Sequence, residues 1–429
     1  MHDPLSPATR PPHDERERLG AALLTRLDTL AGFSDDPAAL TRLYLSPAHR
    51  AAARWLTGWM EEAGMTVRLD AIGNVVGRYD GATPGAPAVL LGSHIDTVRN
   101  AGKYDGTLGV LTAVAVVEDM HRRGERLPFA VEVIGFGDEE GVRFPVLFSG
   151  SRAVAGTFDP ACLDARDGDG VVLRDALAAF GGAPDALAAD PAAAARVAGA
   201  LAYLEVHIEQ GPVLERAGTP LGVVTAINGS SRYRLEVTGM AGHAGTVPMA
   251  GRRDALTAAA DMVLAVERQA LHSAGLVATV GRLEVLPGAV NVIPGAVRFT
   301  LDVRSPDDGE RRKGAAAILA ACSIIAQRRQ VALTVEQTVD APAAPCTPAL
   351  RNAFAAAAVR AGVEPRHLPS GAGHDAMVFA DVLPMAMLFV RCRGGISHNP
   401  AEAVTAADVG LAAAVLLDTL RHLPHPALS

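Results

Sequence analysis

The sequence predicts an α/β fold whose mostly parallel sheet, flanked by helices, is interrupted by an inserted α+β domain. Over residues 14–212, apolar segments of strand length alternate with segments of helical periodicity, which is typical of a largely parallel sheet. Residues 213–340 follow a β-α-β-β-α-β order, that of a ferredoxin-like sandwich. The α/β pattern resumes over 341–429, so we expect these residues to complete the first domain. Residues 1–13 are polar and proline-rich, and we expect a disordered lead-in.

Individual elements follow from periodicity and from the residues that end helices. The helix expected over 47–63 stops at Gly64, because glycine readily adopts the conformation that ends a helix. The first domain is further predicted to contain helices over 14–31, 108–122, 348–361 and 406–422 and strands over 65–69, 74–78, 88–93, 130–136, 201–206 and 385–391. The inserted domain is predicted to contain strands over 233–238, 276–283, 297–303 and 331–336 and helices over 253–271 and 307–328. The alanine-rich stretch 160–200 predicts surface helices without a chemical role.

Composition disfavours several classes of protein. A net charge of −8 argues against nucleic acid as a partner, because phosphate binding needs a basic face. No segment approaches the roughly 18 uninterrupted apolar residues of a membrane span, and the first residues lack the apolar core of a signal peptide. Four scattered cysteines without a CxxC motif predict reduced thiols in a cytoplasmic protein. No GxGxxG follows the first strands and no Walker loop occurs, which disfavours a nucleotide-binding protein.

Three carboxylates follow one of the buried strands directly. Asp138, Glu139 and Glu140 lie between Gly137 and Gly141, and clustered like charges at a buried strand end are costly unless a cation lies beside them. A metal ion would explain the cluster, with one carboxylate as ligand and its neighbour moving a proton. An isolated Asp-Glu-Glu sequence is more often a solvated acidic turn. Because neighbouring side chains on a straight strand face opposite ways, joint action predicts an unusual backbone conformation here, which the glycines would permit.

Histidines and further carboxylates occur at other predicted strand ends. His94 and Asp96 are two residues apart and point to one face, so the carboxylate can orient the imidazole. Asp105 precedes a predicted helix, where the alternative interpretation is an N-cap. His207 ends a strand and His398 lies in an irregular loop; each alone would more often be a hydrogen-bonded structural histidine. Together these side chains favour zinc, manganese or cobalt, since imidazole and carboxylate are suitable ligands and thiolates are not available.

Seven short motifs carry a resemblance to a known family. GSHIDTV, KYDGTLGV, GDEEGVRF, HIEQGP, AGHAGTVPM, SGAGHDA and GISHNPAE occur in this order between about residues 90 and 403. The sequence resembles the dimetal amidohydrolase family that contains aminoacylases, carboxypeptidases, N-carbamoyl-amino-acid hydrolases and allantoate amidohydrolases. Seven motifs in order are far more specific than any single one.

The resemblance implies roles for the strand-end residues. It implies two divalent metal ions, zinc or manganese with cobalt as an alternative, with these ligands: His94 and His207 for one ion, Glu140 and His398 for the other, and Asp105 between both. Glu139 would be the general base, and Asp96 would fix the ring of His94. The inserted domain would be a lid that also forms the contact of a homodimer.

One position indicates which branch of the family the sequence resembles. Peptidase relatives usually carry a carboxylate where His207 stands, and His207 followed by Glu209-Gln210-Gly211 resembles the ureido-cleaving branch. The expected substrate is a small ureido carboxylate, allantoate first, with N-carbamoyl-L-amino acids or 3-ureidopropionate as alternatives. The implied substrate contacts are Gln210, Arg232, His243, Asn291 and Arg304, with His243 also stabilising the oxyanion.

Two further interpretations remain beside this one. Arg304 suits a carboxylate by its bidentate geometry, but a surface salt bridge would equally explain it. A silent, metal-retaining dimeric binding protein would be expected to lack Glu139 or a ligand, and none of them is missing. His374 and Asp375 lie in a glycine-rich loop without an assigned role.

Overall fold

The protein, represented by a computed structural model, is described for residues 13–423. Residues 1–12, nearly all of the expected lead-in, therefore lie outside the described residues. The chain forms two compact units. The first unit extends to Thr225 and also includes Cys346–Leu368 and the chain from His374 onward. The second comprises Ala226–Pro345 and Pro369–Gly373, where the sequence suggested an insertion over 213–340.

Residues 13–423 form sixteen strands and twelve α-helices. The strands are β1 (Thr66–Leu69), β2 (Val75–Tyr79), β3 (Ala88–His94), β4 (Ala130–Phe136), β5 (Ala200–Ile208), β6 (Leu221–Ile227), β7 (Gly229–Thr238), β8 (Gly242–His243), β9 (Val277–Thr279), β10 (Leu283–Leu286), β11 (Val292–Ile293), β12 (Ala296–Ser305), β13 (Ala332–Ala341), β14 (Ala344–Pro345), β15 (Arg366–Ser370) and β16 (Met385–Val390). The helices are α1 (His13–Ala31), α2 (Pro47–Glu62), α3 (Thr107–Arg122), α4 (Ser149–Ala155), α5 (Leu173–Phe180), α6 (Pro184–Ala189), α7 (Val213–Ala217), α8 (Ala255–Leu271), α9 (Asp308–Arg329), α10 (Pro348–Arg360), α11 (Ala376–Phe379) and α12 (Ala406–Arg421), with 3₁₀ turns at Pro160–Asp164 and Arg393–Gly395.

The first unit is built on a sheet with the strand order β1-β2-β4-β3-β5-β16-β6, which confirms the predicted α/β class. The central strands β4, β3, β5 and β16 are parallel, whereas β1, β2 and β6 pair in antiparallel fashion at the sides. Every residue of β3 and β4 is buried, and helix α3 packs on both strands. Strands covered on both faces read as continuous apolar runs, which is why the sequence identified them.

Parallel pairing brings several strand ends to one edge of this sheet. His94, the last residue of β3, is paired with Phe136, the last of β4. His207 lies near the end of β5, beside Phe389 of β16. The carboxyl ends of parallel strands meet at the same edge, where α/β proteins place their ligands. His94, His207 and the acidic cluster that follows β4 therefore lie at the same edge of the sheet.

The second unit has a five-stranded antiparallel sheet in the order β10-β12-β7-β13, with β9 also paired to β12. The expected single strand 276–283 is wrong: it is divided at Gly281 into β9 and β10, which pair with different ends of β12. Alternate residues of β12, such as Phe299 and Leu301, enter a core formed with α8 and α9, and the residues between them face outward. The outward face is polar and carries Arg232, Asp302 and Arg304.

Within residues 13–423, no helix combines the length and apolar character that a bilayer crossing requires.

Candidate metal centre

Three histidines surround the carboxylate of Asp105. The Nε2 atoms of His94 and His207 lie 3.3 and 3.2 Å from Asp105 Oδ1. Nε2 of His398 lies 3.2 Å from the other oxygen, Oδ2. Asp105 thus contacts one histidine pair through one oxygen and a third histidine through the other.

The local backbone explains the position of Asp105. Gly106, not Asp105, precedes the first turn of α3, and no side chain caps that helix. The N-cap interpretation of Asp105 is therefore wrong. Gly106 has a φ of +64°, and a Cβ there would lie 2.5 Å from the ring of His94. A side chain at position 106 would push His94, the last residue of β3, away from the carboxylate of Asp105.

The hydrogen bonds of two histidines fix which ring nitrogen is free to bind a cation. Nδ1 of His94 lies 2.9 Å from the Asp96 carbonyl, and Nδ1 of His207 lies 2.9 Å from the Ile208 carbonyl. A carbonyl only accepts, so each Nδ1 carries the hydrogen and, in a neutral ring, Nε2 has the lone pair. The Gly106 N–H also donates to Nε2 of His207 at 3.2 Å. The lone pairs then face Asp105, an arrangement that a cation between them stabilises.

The predicted unusual backbone in the acidic cluster is confirmed. Strand β4 ends at Phe136, and Asp138 has a left-handed φ of +67°. Its conformation is held by the Phe148 N–H, which donates to the Asp138 carbonyl at 2.7 Å, and by the Ser149 hydroxyl, which donates to its carboxylate. Gly137 was expected to permit the turn, but φ is positive at Asp138 and Gly141. Gly137 instead avoids a clash, because a Cβ there would lie 2.5 Å from the ring of Tyr44.

Asp96 connects His94 to this turn. Its carbonyl orients the His94 ring, whereas its carboxylate lies 3.9 Å from Nδ1. The two carboxylate oxygens accept the backbone N–H groups of Glu139 and Glu140, each at 3.3 Å. The side chain of Asp96 therefore positions the acidic pair rather than the imidazole.

Two overlapping sets of side chains could hold cations. His94, Asp105 and His207 form one set, and Asp105, Glu140 and His398 form another; within each set the ligand atoms lie within 4.8 Å of one another. Glu140 Oε1 lies 3.6 Å from His398 Nε2. The sets share Asp105 and contain only imidazole and carboxylate, so they suit divalent zinc, manganese or cobalt.

Burial makes the carboxylates of this centre costly without a cation. Burial raises the pKa of Glu140 to about 7, although His94, when it is protonated in the absence of a cation, opposes the rise. The pKa of Glu139 is raised well above its ordinary value, first by burial and then by Glu140 and other nearby carboxylates. Burial acts on Asp105 in the same direction, but without a cation the three histidines, when protonated, donate to its carboxylate and hold its pKa well below the ordinary value. These buried groups fit the proposed divalent ions, whose charge would offset their repulsion.

Two residues that the sequence did not single out support Asp105. Glu402 is only 3% exposed, and its Oε1 accepts the N–H groups of Tyr104 and Asp105 at 2.7 and 3.2 Å. The Ser397 hydroxyl lies 3.0 Å from Glu402 Oε2 and 2.7 Å from Asp105 Oδ2. Glu402 stands four residues after His398 in an irregular loop, where no periodicity marks it as buried.

Gln210 lies against the same centre. Its Nε2 donates to Asp105 Oδ2 at 2.7 Å and approaches the Ser397 hydroxyl at 3.2 Å. Its Oε1 is buried and, among the described residues, has no hydrogen-bond partner. One amide end thus holds the centre, and the other is an acceptor available to a ligand.

Further buried polar groups lie next to His207 of this centre. The ring of His374 lies 4.4 Å from that of His207, centre to centre. Glu205 is buried, accepts hydrogen bonds from Ser93, Tyr203 and the Ala376 N–H, and forms a third candidate set with His207 and His374. The sequence prediction did not include Glu205, because a single glutamate inside an apolar strand carries no spacing signal.

The substrate contacts expected in the inserted domain form two pairs within the second unit. His243 and Asn291 come together because the Ala244 N–H donates to the Asn291 carbonyl at 2.9 Å, beside the paired strands β8 and β11. Arg232 and Arg304 come together because both donate to Asp302. The salt-bridge interpretation of Arg304 is thus correct as a contact, but its side chain remains 30% exposed.

Comparison with known proteins places the chain in a family. Residues 90–422 match peptidase family M20/M25/M40. The N-carbamoyl-L-amino acid amidohydrolase of Geobacillus stearothermophilus is 41% identical over 405 residues, which cover 94% of this chain and 98% of that protein. The probable allantoate deiminase of Oryza sativa subsp. japonica is 41% identical over 439 residues, covering 94% and 88%. The crystal structure of an amidase of the hydantoinase/carbamoylase family from Burkholderia multivorans matches with a TM-score of 0.88 at 36% identity, covering 94% of this chain and 97% of that one.

The chain belongs to peptidase family M20/M25/M40, and the family expected from the seven motifs is confirmed. Within that family it is a hydrolase that acts on C–N bonds, as predicted.

Proposed function

We propose that the protein hydrolyses the C–N bond of a ureido group on a small carboxylate, with allantoate as the first candidate substrate. The observation that carries this proposal is the convergence of His94, His207 and His398 on Asp105, with Glu139 and Glu140 beside them. Hydrolysis of the ureido group consumes one water and releases ammonia and carbon dioxide, leaving ureidoglycine from allantoate. Relatives about 41% identical, named for allantoate and for N-carbamoyl amino acids, support this substrate class.

Five residues would hold two divalent ions: His94, His207, Asp105, Glu140 and His398. When bound, such ions supply positive charge that lowers the pKa of an attacking water and polarises the ureido carbonyl. The Nδ1 hydrogen bond of His94 keeps its Nε2 lone pair directed at the centre. Asp105 is held for its bridging role by Gln210, Ser397 and Glu402.

Glu139 would move the proton. It is buried next to His94 and Glu140, and a carboxylate in that position can accept a proton and return it. It takes the proton of the attacking water and passes it to the leaving nitrogen. His243 would donate a hydrogen bond to the developing oxyanion, which contributes about 3 kcal/mol in comparable sites.

Substrate orientation would come from the remaining polar groups. Oε1 of Gln210 has no hydrogen-bond partner within residues 13–423, so it can accept a ureido N–H. Arg232 and Arg304 carry the guanidinium groups that suit a substrate carboxylate, and Asn291 offers an amide beside His243.

The second candidate substrate class is the N-carbamoyl-L-amino acids, with 3-ureidopropionate as a simpler member. The carbamoyl hydrolase of Geobacillus stearothermophilus favours it, because 98% of that protein is matched. Both classes present a ureido group and a carboxylate to the same side chains.

We also propose a homodimer formed through the inserted unit, in the cytoplasm. Large apolar side chains of that unit, including Met249, Leu271 and Val290, are exposed. All four cysteines lie among the described residues and are free thiols, as a reducing compartment allows. Light scattering on the purified protein measures the mass; a monomer at micromolar concentration contradicts the dimer.

The experiment that tests the reaction is an ammonia-release assay on manganese- and zinc-loaded protein. It compares allantoate, 3-ureidopropionate and several N-carbamoyl-L-amino acids. N-acetyl-L-amino acids are the matched non-ureido control, and release of the free amino acid is measured for them because their hydrolysis yields acetate and no ammonia. We expect turnover of a ureido compound, with allantoate highest. Activity confined to the N-acetyl compounds would contradict the assignment of a ureido substrate.

A further inference from the structure

The second unit contains a cavity of about 600 Å³ on the outward face of its sheet. Its lining includes Arg232, Asp302 and Arg304, together with uncharged residues such as Tyr233 and Thr338. Two arginines and one aspartate give this lining a net charge of +1. Sequence reasoning singled out both arginines and did not consider the aspartate between them.

Asp302 holds both guanidinium groups. It accepts from Nε and NH2 of Arg304 at 3.2 and 2.9 Å and from Nε of Arg232 at 3.2 Å. The Ser230 hydroxyl donates to its Oδ1 at 3.0 Å. Burial alone would raise the pKa of Asp302, but the hydrogen bond and charge of Arg304 outweigh it and lower that pKa. Asp302 is therefore an anion fixed between two cations.

The contacts of Arg304 leave a defined part of its guanidinium for a ligand. A guanidinium has five N–H groups. The hydrogen bonds from Arg304 to Asp302 use the Nε hydrogen and one hydrogen on NH2. NH1 of Arg304 donates to the Gly371 carbonyl at 2.7 Å. Within residues 13–423, one hydrogen on each terminal nitrogen of Arg304 remains without a partner, and this pair suits one carboxylate. Arg232 keeps its terminal nitrogens as well, and its side chain is 49% exposed.

We propose that Asp302 is a specificity-determining residue that limits this arginine pair to one carboxylate, so that the cavity selects monocarboxylates over dicarboxylates. The proposal rests on the proposed function for the class of ligand. The net charge of +1 matches one carboxylate. A second carboxylate on the ligand would be repelled by the negative charge of Asp302. The Nε and NH2 hydrogens of Arg304 that face Asp302 are already hydrogen-bonded to it.

The size of the effect follows from the distance and the solvent. A second ligand carboxylate several ångströms from Asp302 in a half-exposed cavity feels a repulsion that corresponds to about three- to tenfold in affinity. Removal of the Asp302 charge lifts this repulsion for a dicarboxylate specifically. The ratio of dicarboxylate to monocarboxylate affinity should then rise, and loss of stability alone would not change that ratio.

The test uses a nearly isosteric ligand pair and a matched charge control. N-carbamoyl-L-aspartate carries two carboxylates, and N-carbamoyl-L-asparagine carries one. Asp302→Asn and Asp302→Ser both remove the charge, and the serine variant serves if the asparagine variant fails to fold. Asp261→Asn is the control, because Asp261 also accepts from two arginines, Arg328 and Arg329, in the same unit.

Two measurements are made on the full-length chain. Calorimetry gives the affinity of both ligands for metal-free protein, where turnover does not interfere, and kcat/KM is measured on manganese-loaded protein. We expect the dicarboxylate-to-monocarboxylate ratio to rise about three- to tenfold in both Asp302 variants and to stay unchanged in Asp261→Asn. A ratio equal in all proteins, or no measurable binding of either ligand, overturns the proposal.

The outcomes separate this inference from the proposed function. If no ureido compound is hydrolysed but the binding ratio rises as expected, the reaction assignment fails and the role of Asp302 stands. If ureido compounds are hydrolysed with the same ratio in every variant, the reaction stands and the role of Asp302 is wrong.

Discussion

The centre around Asp105 and the cavity around Asp302 both place one carboxylate among several nitrogen donors, but they differ in burial. Asp105 is 4% exposed, and its partners His94 and His207 are 2% and 1% exposed. Asp302 is 28% exposed, and Arg232 beside it is 49% exposed. The first carboxylate lies between two buried histidines at strand ends and the half-exposed His398 of a loop, whereas the second lies among long side chains on a sheet face.

This difference predicts different consequences of substitution. A buried charge that loses its partner is strongly destabilised, because water cannot replace that partner. A half-exposed pair loses little, because water and salt already screen it. The Asp105 centre is therefore suited to hold reactive groups in one geometry, and the Asp302 cavity is suited to discriminate among ligands by charge.

The largest expected effect is on the proposed general base in the buried centre. Glu139→Gln should lower kcat about 10²- to 10⁴-fold with bound metal unchanged, because an amide cannot accept and return the proton. The assay is ammonia release together with metal analysis. Glu132→Gln, on strand β4 and paired with Arg78, is the control and should retain activity. Turnover of Glu139→Gln within about tenfold of wild type removes Glu139 from this role.

A smaller effect is expected from Glu402, which supports Asp105 without being a proposed ligand. Glu402→Ala removes the acceptor for the Tyr104 and Asp105 N–H groups and should weaken manganese binding about 10- to 100-fold. Glu402→Gln keeps an acceptor oxygen and should restore most of the affinity. Competition with a metal chelator measures both. Equal losses in the two variants would indicate a general folding defect instead.

The smallest effect is expected in the exposed cavity. Arg232→Ala removes one ion pair of Asp302 and should change the free energy of unfolding by less than about 1 kcal/mol. Urea denaturation measures this, with Arg234→Ala as control, since the Arg234–Glu336 pair is 60% and 59% exposed. A loss above about 2 kcal/mol would show that the two regions do not differ as described.

Parts of the fold and of the centre could be predicted because they leave a periodic or compositional trace. The buried strands β3 and β4 are apolar throughout, and the acidic cluster after β4 required a backbone turn. The residue that turns was not predictable in the same way. Asp138 adopts the left-handed conformation because Ser149 and Phe148, ten or more residues later, hold it.

The remaining features depend on contacts between distant segments. Glu402 is buried against Tyr104, which is 298 residues away in sequence, and Asp302 becomes important only because β7 brings Arg232 beside it. The expected strand 276–283 was divided because its two ends pair with different parts of β12. The pattern of a single sequence does not show which distant residues will be in contact.

The most direct test of the proposed centre is the number of metal ions that Asp105 holds. Manganese titration against a chelator, with elemental analysis, should find two ions on the wild-type chain. Asp105→Ala should retain at most one, with affinity lowered at least about 100-fold, whereas the control Asp261→Asn, a carboxylate of the second unit that is 28% exposed, should match wild type. Two ions bound by Asp105→Ala with wild-type affinity would contradict a centre built around this carboxylate.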